Sequence, residues 1–148
     1  MERKQLWWED VVVGQDIPTE YALKLDMTRI MLQVSGTQDY YPVHHDPEFA
    51  KTQGVPDVFV NTGFLTAATG RLLTDWIGPE GRLCRYRIEM RKMNFLGDTM
   101  TVKGKVTGKY AQNENHYVDT EIWCETDRQG ITTPCTATVL LPSRYADR

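Results

Sequence analysis

The 148-residue chain holds only three cysteines and three histidines, and it has no long uninterrupted apolar run. Each scarcity excludes something. Cys84, Cys124 and Cys135 are odd in number and form no CxxC pair, which argues against a disulfide framework and against a structural zinc site. All three alternate with polar neighbours in strand-like runs, so they are expected to be small buried apolar residues. A bilayer span needs about 20 consecutive apolar residues, and the opening Met1-Glu2-Arg3-Lys4-Gln5-Leu6-Trp7-Trp8 lacks the apolar stretch of a secretion signal. No membrane association is expected, and a reducing cytoplasm fits best. The chain also lacks a Lys/Arg run. Its net charge is -3 with both signs mixed throughout, so nucleic acid is not an expected partner. The densest basic stretch, Arg82, Arg85, Arg87, Arg91 and Lys92, has the spacing of a strand's solvent face. Contact with the phosphates of a ligand is the alternative. Glycine-rich phosphate loops, nucleophile elbows, metal-ligand clusters and internal repeats are missing as well.

What is present describes an ordinary folded domain. Hydrophobic residues make up 41% and charged residues 25% of the chain, close to globular averages. The length suits one domain over residues 1–148, and a core of that size needs no metal or disulfide staple. Residues 1–18 read as an irregular lead-in ending at Pro18, with Trp7 and Trp8 packing on the surface. Thr19–Asp26 alternates like a strand. Asp26 or Thr28 is placed to cap a helix through Arg29–Val34 that stops at Ser35-Gly36. Residues 37–47 are loop-like, and Asp46-Pro47-Glu48 begins a short helix ending near Gln53-Gly54.

Residues 59–77 carry the longest helical signal. Val60, Phe64, Ala68, Leu72 and Trp76 recur every four positions beside Leu65, Leu73 and Ile77. The wide apolar stripe predicts a helix buried along most of its length, ended by Gly78-Pro79-Glu80-Gly81. The period then changes to two. Cys84 to Met90, Met100 to Val106, Val118 to Cys124 and Cys135 to Leu141 each alternate apolar with polar residues, separated by the turn sequences Leu96-Gly97-Asp98, Gln112-Asn113-Glu114-Asn115 and Asp127-Arg128-Gln129-Gly130. The expected class is α+β, with a long central helix wrapped by an antiparallel sheet.

Of the histidines, His116 opens a strand after a polar turn and reads as solvated surface. His44 and His45 share the loop Asp39-Tyr40-Tyr41-Pro42-Val43-His44-His45-Asp46. A carboxylate and an imidazole five residues apart converge if the loop turns at Pro42, and the pair can then hold one water for general acid–base chemistry. The alternative has Asp39 capping a turn and His44 satisfying backbone groups. His45 reads as surface or packing, and Asp46 as a helix cap. Asp75 suits a salt bridge or a partner contact, Tyr40 and Tyr41 a pocket wall, and Trp76 the core or an interface.

The run Ser35-Gly36-Thr37-Gln38-Asp39-Tyr40-Tyr41-Pro42-Val43-His44, followed by Ala50, resembles the signature of MaoC-like enzymes, the (R)-specific enoyl-CoA hydratases. That signature is Asp, any residue, Asn, Pro, an aliphatic residue, His, five residues, then Ala or Ser. The likeness extends to Val13-Gly14-Gln15, the helix at 59–77, the Phe95-Leu96-Gly97-Asp98-Thr99 corner and the four strands. It implies a hot-dog fold and syn hydration of a trans-2-enoyl thioester, with Asp39 as base and His44 orienting the water. It also implies thioester-oxygen donors at the helix start (Thr62, Gly63), substrate contacts at Asn61 and Tyr41, and no cofactor beyond the coenzyme A of the substrate. Two positions depart from the pattern: Tyr41 replaces the Asn, and Asn61-Thr62 replaces a His-Gly pair.

Within the family, Asp57-Val58-Phe59-Val60-Asn61, Leu73-Thr74-Asp75-Trp76-Ile77-Gly78-Pro79 and His44-His45-Asp46 look like the small catalytic subunit of actinobacterial steroid side-chain hydratases. This implies a bulky, steroid-derived acyl group. The expected assembly is a homodimer or a heteromer with a second MaoC-like chain. Two rivals are a hot-dog thioesterase, disfavoured because residues 59–73 contain no Asp or Glu, and a non-catalytic subunit supporting a partner.

Overall fold

The computed structural model describes residues 4–18 and 21–145. Strand β1 (Tyr21–Lys24) leads into helix α1 (Met27–Thr37), a single 3-10 turn over Pro42–His44, helix α2 (Pro47–Thr52) and the long helix α3 (Thr62–Ile77). Strands β2 (Arg82–Ile88), β3 (Thr99–Gln112), β4 (Asn115–Thr126) and β5 (Gly130–Leu141) follow. The five strands form one antiparallel sheet in the order β1-β3-β4-β5-β2.

Alternation decides which face of the sheet meets α3. Met100, Val102 and Val106 of β3, Val118, Ile122 and Cys124 of β4, and Cys135, Ala137, Val139 and Leu141 of β5 are all buried. Across from them α3 buries Leu65, Ala68, Leu72, Leu73, Trp76 and Ile77, and it touches all four of these later strands. Gly104 leaves room for Ile17 of the lead-in and Leu72 of α3 to pack on β3, since an added Cβ there would lie 2.8 Å from Ile17 Cδ1 and 3.2 Å from Leu72 Cδ2. The expected helix wrapped by an antiparallel sheet is what the chain forms.

Turn chemistry sets the register. Asn113 and Glu114 both take positive φ (49° and 65°) and join β3 to β4 so that Gln112 pairs with Asn115, the twist-matched two-residue hairpin. Between β2 and β3 the buried Asp98 carboxylate accepts from Phe95 N–H (2.9 Å) and from the Arg128 guanidinium. Leu25 and the corner exchange backbone bonds there, Leu25 N to Asp98 O and Gly97 N to Leu25 O, both 2.8 Å.

Four expectations need correction. The lead-in is not wholly irregular: Gly14 N bonds Val106 O, Val106 N bonds Gln15 O and Ile17 N bonds Gly104 O, so residues 14–17 continue the β1 edge along β3. Trp8 does pack down, with Nε1 donating to Tyr117 O, but it takes His116 with it, the two rings lying 4.7 Å apart. Helix α1 starts earlier and runs past Gly36, capped by Asp26, whose carboxylate accepts from Arg29 N–H at 2.8 Å. Cys84 is exposed because it sits at the register break between Leu83 and Arg85 on edge strand β2. Cys124 and Cys135 are buried as expected, and burial pushes their thiols up to about 12 and about 11. Thr19 and Glu20, the start of the expected first strand, lie outside the described residues.

Leu72 is fully buried where α3 meets Gly104. Leu72→Ala should therefore lower the unfolding free energy by about 3 kcal/mol in a urea titration, whereas Val12→Ala, at 63% exposure, should change it by about 0.5 kcal/mol or less. A loss at Leu72 as small as that at Val12 would contradict this packing.

Candidate active site

The site is assembled where the end of α1 meets the start of α3. Gln33 and Thr37 lie one turn apart on α1, and Thr37 Oγ1 donates to Gln33 O at 2.7 Å. Helix α1 ends at Gln38, which adopts a left-handed conformation (φ 55°), and this reversal puts Asp39 back alongside Thr37 instead of one turn further on. Gly63 permits the approach of the two helices, since a Cβ there would meet Thr37 Cγ2 at 2.9 Å.

The 3-10 turn at Pro42–His44 then folds His44 inward. His44 N bonds Tyr41 O and His45 N bonds Pro42 O, both at 3.0 Å. The His44 residue is only 7% exposed, and its Nδ1 lies 2.9 Å from Phe59 O. A carbonyl only accepts, so Nδ1 carries the proton and Nε2 is the nitrogen turned to Asp39. The Nε2–Oδ2 distance is 3.3 Å. With a neutral imidazole and an ionised carboxylate these two atoms are both acceptors, so the pair is complementary to a shared proton or to a water that donates to both. The Asp39 side chain is 42% exposed, so one side of this polar pair is open. Tyr41, 52% exposed, stands edge-on to His44 and to Phe49 on the rim.

The orientation of His44 depends on where α3 begins. Residues 59 and 60 were expected to be helical, but the backbone over 58–60 is extended. Leu96 N bonds Val58 O (2.9 Å), Val60 N bonds Asn94 O (3.1 Å), and Phe59 bridges Phe95. In a helix the Phe59 carbonyl would be spent on the next turn, and here it is free to hold His44. Asn61 caps α3, its Oδ1 accepting from Phe64 N–H at 2.9 Å. Its own N–H reaches Gln33 Oε1 at 3.3 Å. Of the four N–H groups that a helix start leaves without intrahelical partners, those of Asn61 and Phe64 are thus taken. Those of Thr62 and Gly63 have no partner among the described residues and lie at the positive end of the helix dipole.

The other candidates fall into place around this centre. Asn61, expected at a substrate contact, is 4% exposed, and its amide is directed inward at Thr37 and Asp39. Asp46 caps α2, accepting from Glu48 and Phe49 N–H at 3.0 Å each. Asp75 pairs with Arg71 at 3.2 Å near the far end of α3, and Trp76 is core. His45 is half-buried behind the 3-10 turn. Gln33, Thr37 and the Phe59 carbonyl were not expected at the site. The first two carried a legible signal, their i,i+4 spacing on α1, but nothing in their residue types indicated contact with α3. Gln33 and Phe64 also line a cleft of about 340 Å³ with Asp26, Thr28, Arg29 and Leu32. Among the described residues no three His, Cys, Asp or Glu side chains come together as metal ligands, and no helix is long and apolar enough to cross a membrane.

Known proteins resemble this chain in sequence and fold. The chain is 36% identical over 96 residues to the 3-oxo-4,17-pregnadiene-20-carboxyl-CoA hydratase beta subunit of Mycobacterium tuberculosis, a match spanning 65% of this chain and 74% of that one. It superposes on a chain of the ChsH1–ChsH2 complex from the same organism with a TM-score of 0.79 and 28% identity, covering 88% of this chain and 98% of the other. The (R)-hydratase of A. caviae involved in PHA biosynthesis has the same hot-dog fold (TM-score 0.79, 20% identity, 90% and 99% coverage). The model of the MaoC-like domain matches residues 10–136, so this chain, with its α3 wrapped by five strands and its Asp39–His44 pair at the helix start, belongs to the MaoC-like domain family.

Proposed function

We propose that the protein is a hydratase that reversibly adds water, in syn geometry, across the double bond of a trans-2-enoyl-CoA. The observation that carries this reading is the meeting of Asp39 and His44, 3.3 Å apart, beside the two uncommitted N–H groups at the start of α3. Hydration of a conjugated thioester needs two things. One is a base that takes a proton from water as its oxygen attacks Cβ, together with an acid that returns a proton to Cα. The other is a set of donors for the negative charge that gathers on the thioester oxygen. Asp39 is the base. His44, held by Phe59 O, orients the water through Nε2, and the proton that Asp39 takes from the water is the one returned to Cα with the help of His44, so that OH ends on Cβ and H on Cα. Thr62 and Gly63 N–H bind the thioester oxygen, and Tyr41 walls the acyl pocket. Coenzyme A enters as part of the substrate, and the reaction calls on no further cofactor.

A thioesterase of this fold would use a carboxylate on or near the long helix. The acidic residue of α3, Asp75, is near its far end and paired with Arg71. The name of the Mycobacterium tuberculosis relative, a pregnadiene carboxyl-CoA hydratase subunit, favours a bulky, steroid-derived acyl group. The exposed apolar flank of α1, Met27, Met31 and Leu32, offers surface to such a group or to a partner that encloses it. Assembly is as a homodimer or with a second MaoC-like chain, in the cytoplasm. The edge strand β2, whose outer side has no strand partner among the described residues, is the natural seam for extending the sheet.

Purified protein should bleach the conjugated-thioester absorbance of crotonyl-CoA or of a steroidal enoyl-CoA. Asp39→Asn and His44→Ala should each slow the reaction by on the order of 10²- to 10⁴-fold. Wild-type rates in both variants would refute the assignment. In light scattering the protein should have at least twice the mass of one chain, and Leu83→Asp on β2 should shift it toward the single-chain mass. A wild-type monomer that is fully active would remove the need for the β2 seam.

A further inference from the structure

We propose that Asn61 is a positioning residue for the general base, locking the Asp39 carboxylate to the start of α3 so that base and thioester-oxygen donors form one rigid unit. The proposal rests on the hydration reading above and assigns a role to a residue outside the Asp39–His44 pair. Three bonds from one buried side chain carry it. Asn61 Nδ2 donates to Asp39 Oδ2 at 3.0 Å and to Thr37 Oγ1 at 2.8 Å, while Oδ1 accepts from Phe64 N–H at 2.9 Å.

The orientation of the amide is forced by its partners. Phe64 N–H can only donate, so Oδ1 must face it. The Asp39 carboxylate only accepts when ionised. Thr37 spends its hydroxyl proton on Gln33 O and so also accepts here. Both hydrogens of Nδ2 are therefore committed.

Capping alone does not call for this residue. Ser, Thr or Asp would cap α3 about as well. What Asn adds is a neutral donor directed sideways at the carboxylate. A lysine or arginine would orient Asp39 equally well, but its charge would weaken the carboxylate as a base, whereas an amide orients it without adding charge. The result for Asp39 is asymmetric. Oδ2 is held by Asn61 Nδ2 and faces the unprotonated His44 Nε2 at 3.3 Å, while Oδ1 has only Tyr41 N–H at 3.4 Å. Oδ2 is thus the oxygen that shares a water with His44, and Asn61 is what fixes it there. Because the same amide fixes the first turn of α3, a shift of the carboxylate would have to drag Thr62 and Gly63 with it.

The test compares wild type, Asn61→Asp, Asn61→Ser and Asp39→Asn by thermal melting and by the pH dependence of enoyl-CoA hydration. Asn61→Asp keeps an oxygen at the cap, and its negative charge at a helix start offsets part of the cost of a second buried carboxylate, so it should remain folded at the assay temperature, which thermal melting checks. It also sets a carboxylate against Asp39 in place of a donor. Its kcat should fall by on the order of 10²-fold, with KM within about threefold of wild type. The acid limb of its profile should move to higher pH, since a like charge disfavours the ionised base. His44 is the titratable side chain that already faces Asp39, and it is unchanged in this comparison. Asn61→Ser caps without reaching Asp39 and adds no charge, so it should lose kcat while leaving the acid limb in place. Wild-type kcat in both variants would reduce Asn61 to a helix cap and overturn the proposal. An Asp39→Asn variant with wild-type activity would show that no base stands at position 39, and the hydration reading would then fail first and take this proposal with it.

Discussion

Everything chemical in this structure depends on helix α3 beginning at Asn61 and not three residues earlier. Residues 58–60 are apolar enough to have joined the helix, but their backbone is claimed by the segment before β3 through Val60–Asn94 and Leu96–Val58 bonds. Keeping them extended leaves the Phe59 carbonyl available to His44 and puts the cap residue level with the end of α1. It also presents the first-turn N–H groups beside Asp39. Had the helix started at Phe59, its first turn would cover the place where the imidazole now lies.

The second constraint is the closeness of α1 to α3. In the proposed reaction the carboxylate comes from one element and the helix-start donors from another, and the two elements are joined by few atoms: the Thr37 methyl over Gly63, the Thr37 hydroxyl against the Asn61 amide, and Gln33 on the Asn61 N–H. Neutral hydrogen bonds do this positioning. The polar pair is covered on the core side by Phe59 and flanked by Tyr41. Such cover raises the value of each hydrogen bond by excluding water, and the open side leaves room for a substrate to enter.

The sheet provides rigidity to this arrangement and leaves an edge for assembly. The lead-in runs along β3 beyond β1, so β1 and residues 14–17 together make one long edge of the sheet. On the opposite side β2 is exposed at Leu83 and Cys84, with its register broken between Leu83 and Arg85.

Much of the architecture was legible from residue order. The period-two runs named the inward residues of β3, β4 and β5 correctly, because a strand's side chains must alternate whatever it packs against. The four-residue recurrence likewise found α3, and Asp46-Pro47 and Asp26 were readable caps since their hydrogen bonds are local. Asp39 and His44 could be singled out from their spacing and from the family signature. What the sequence could not reveal were the contacts made at a distance: the strand-like pairing that delays α3, the partnering of Gln33 and Thr37 with Asn61, His116 beneath Trp8, and the exposure of Cys84 at a bulge. Local sequence determined the elements and their inward faces, because periodicity and capping are short-range. Only the tertiary structure decided where α3 starts and how Asp39 is held, because those depend on backbone groups that find their partners in distant segments.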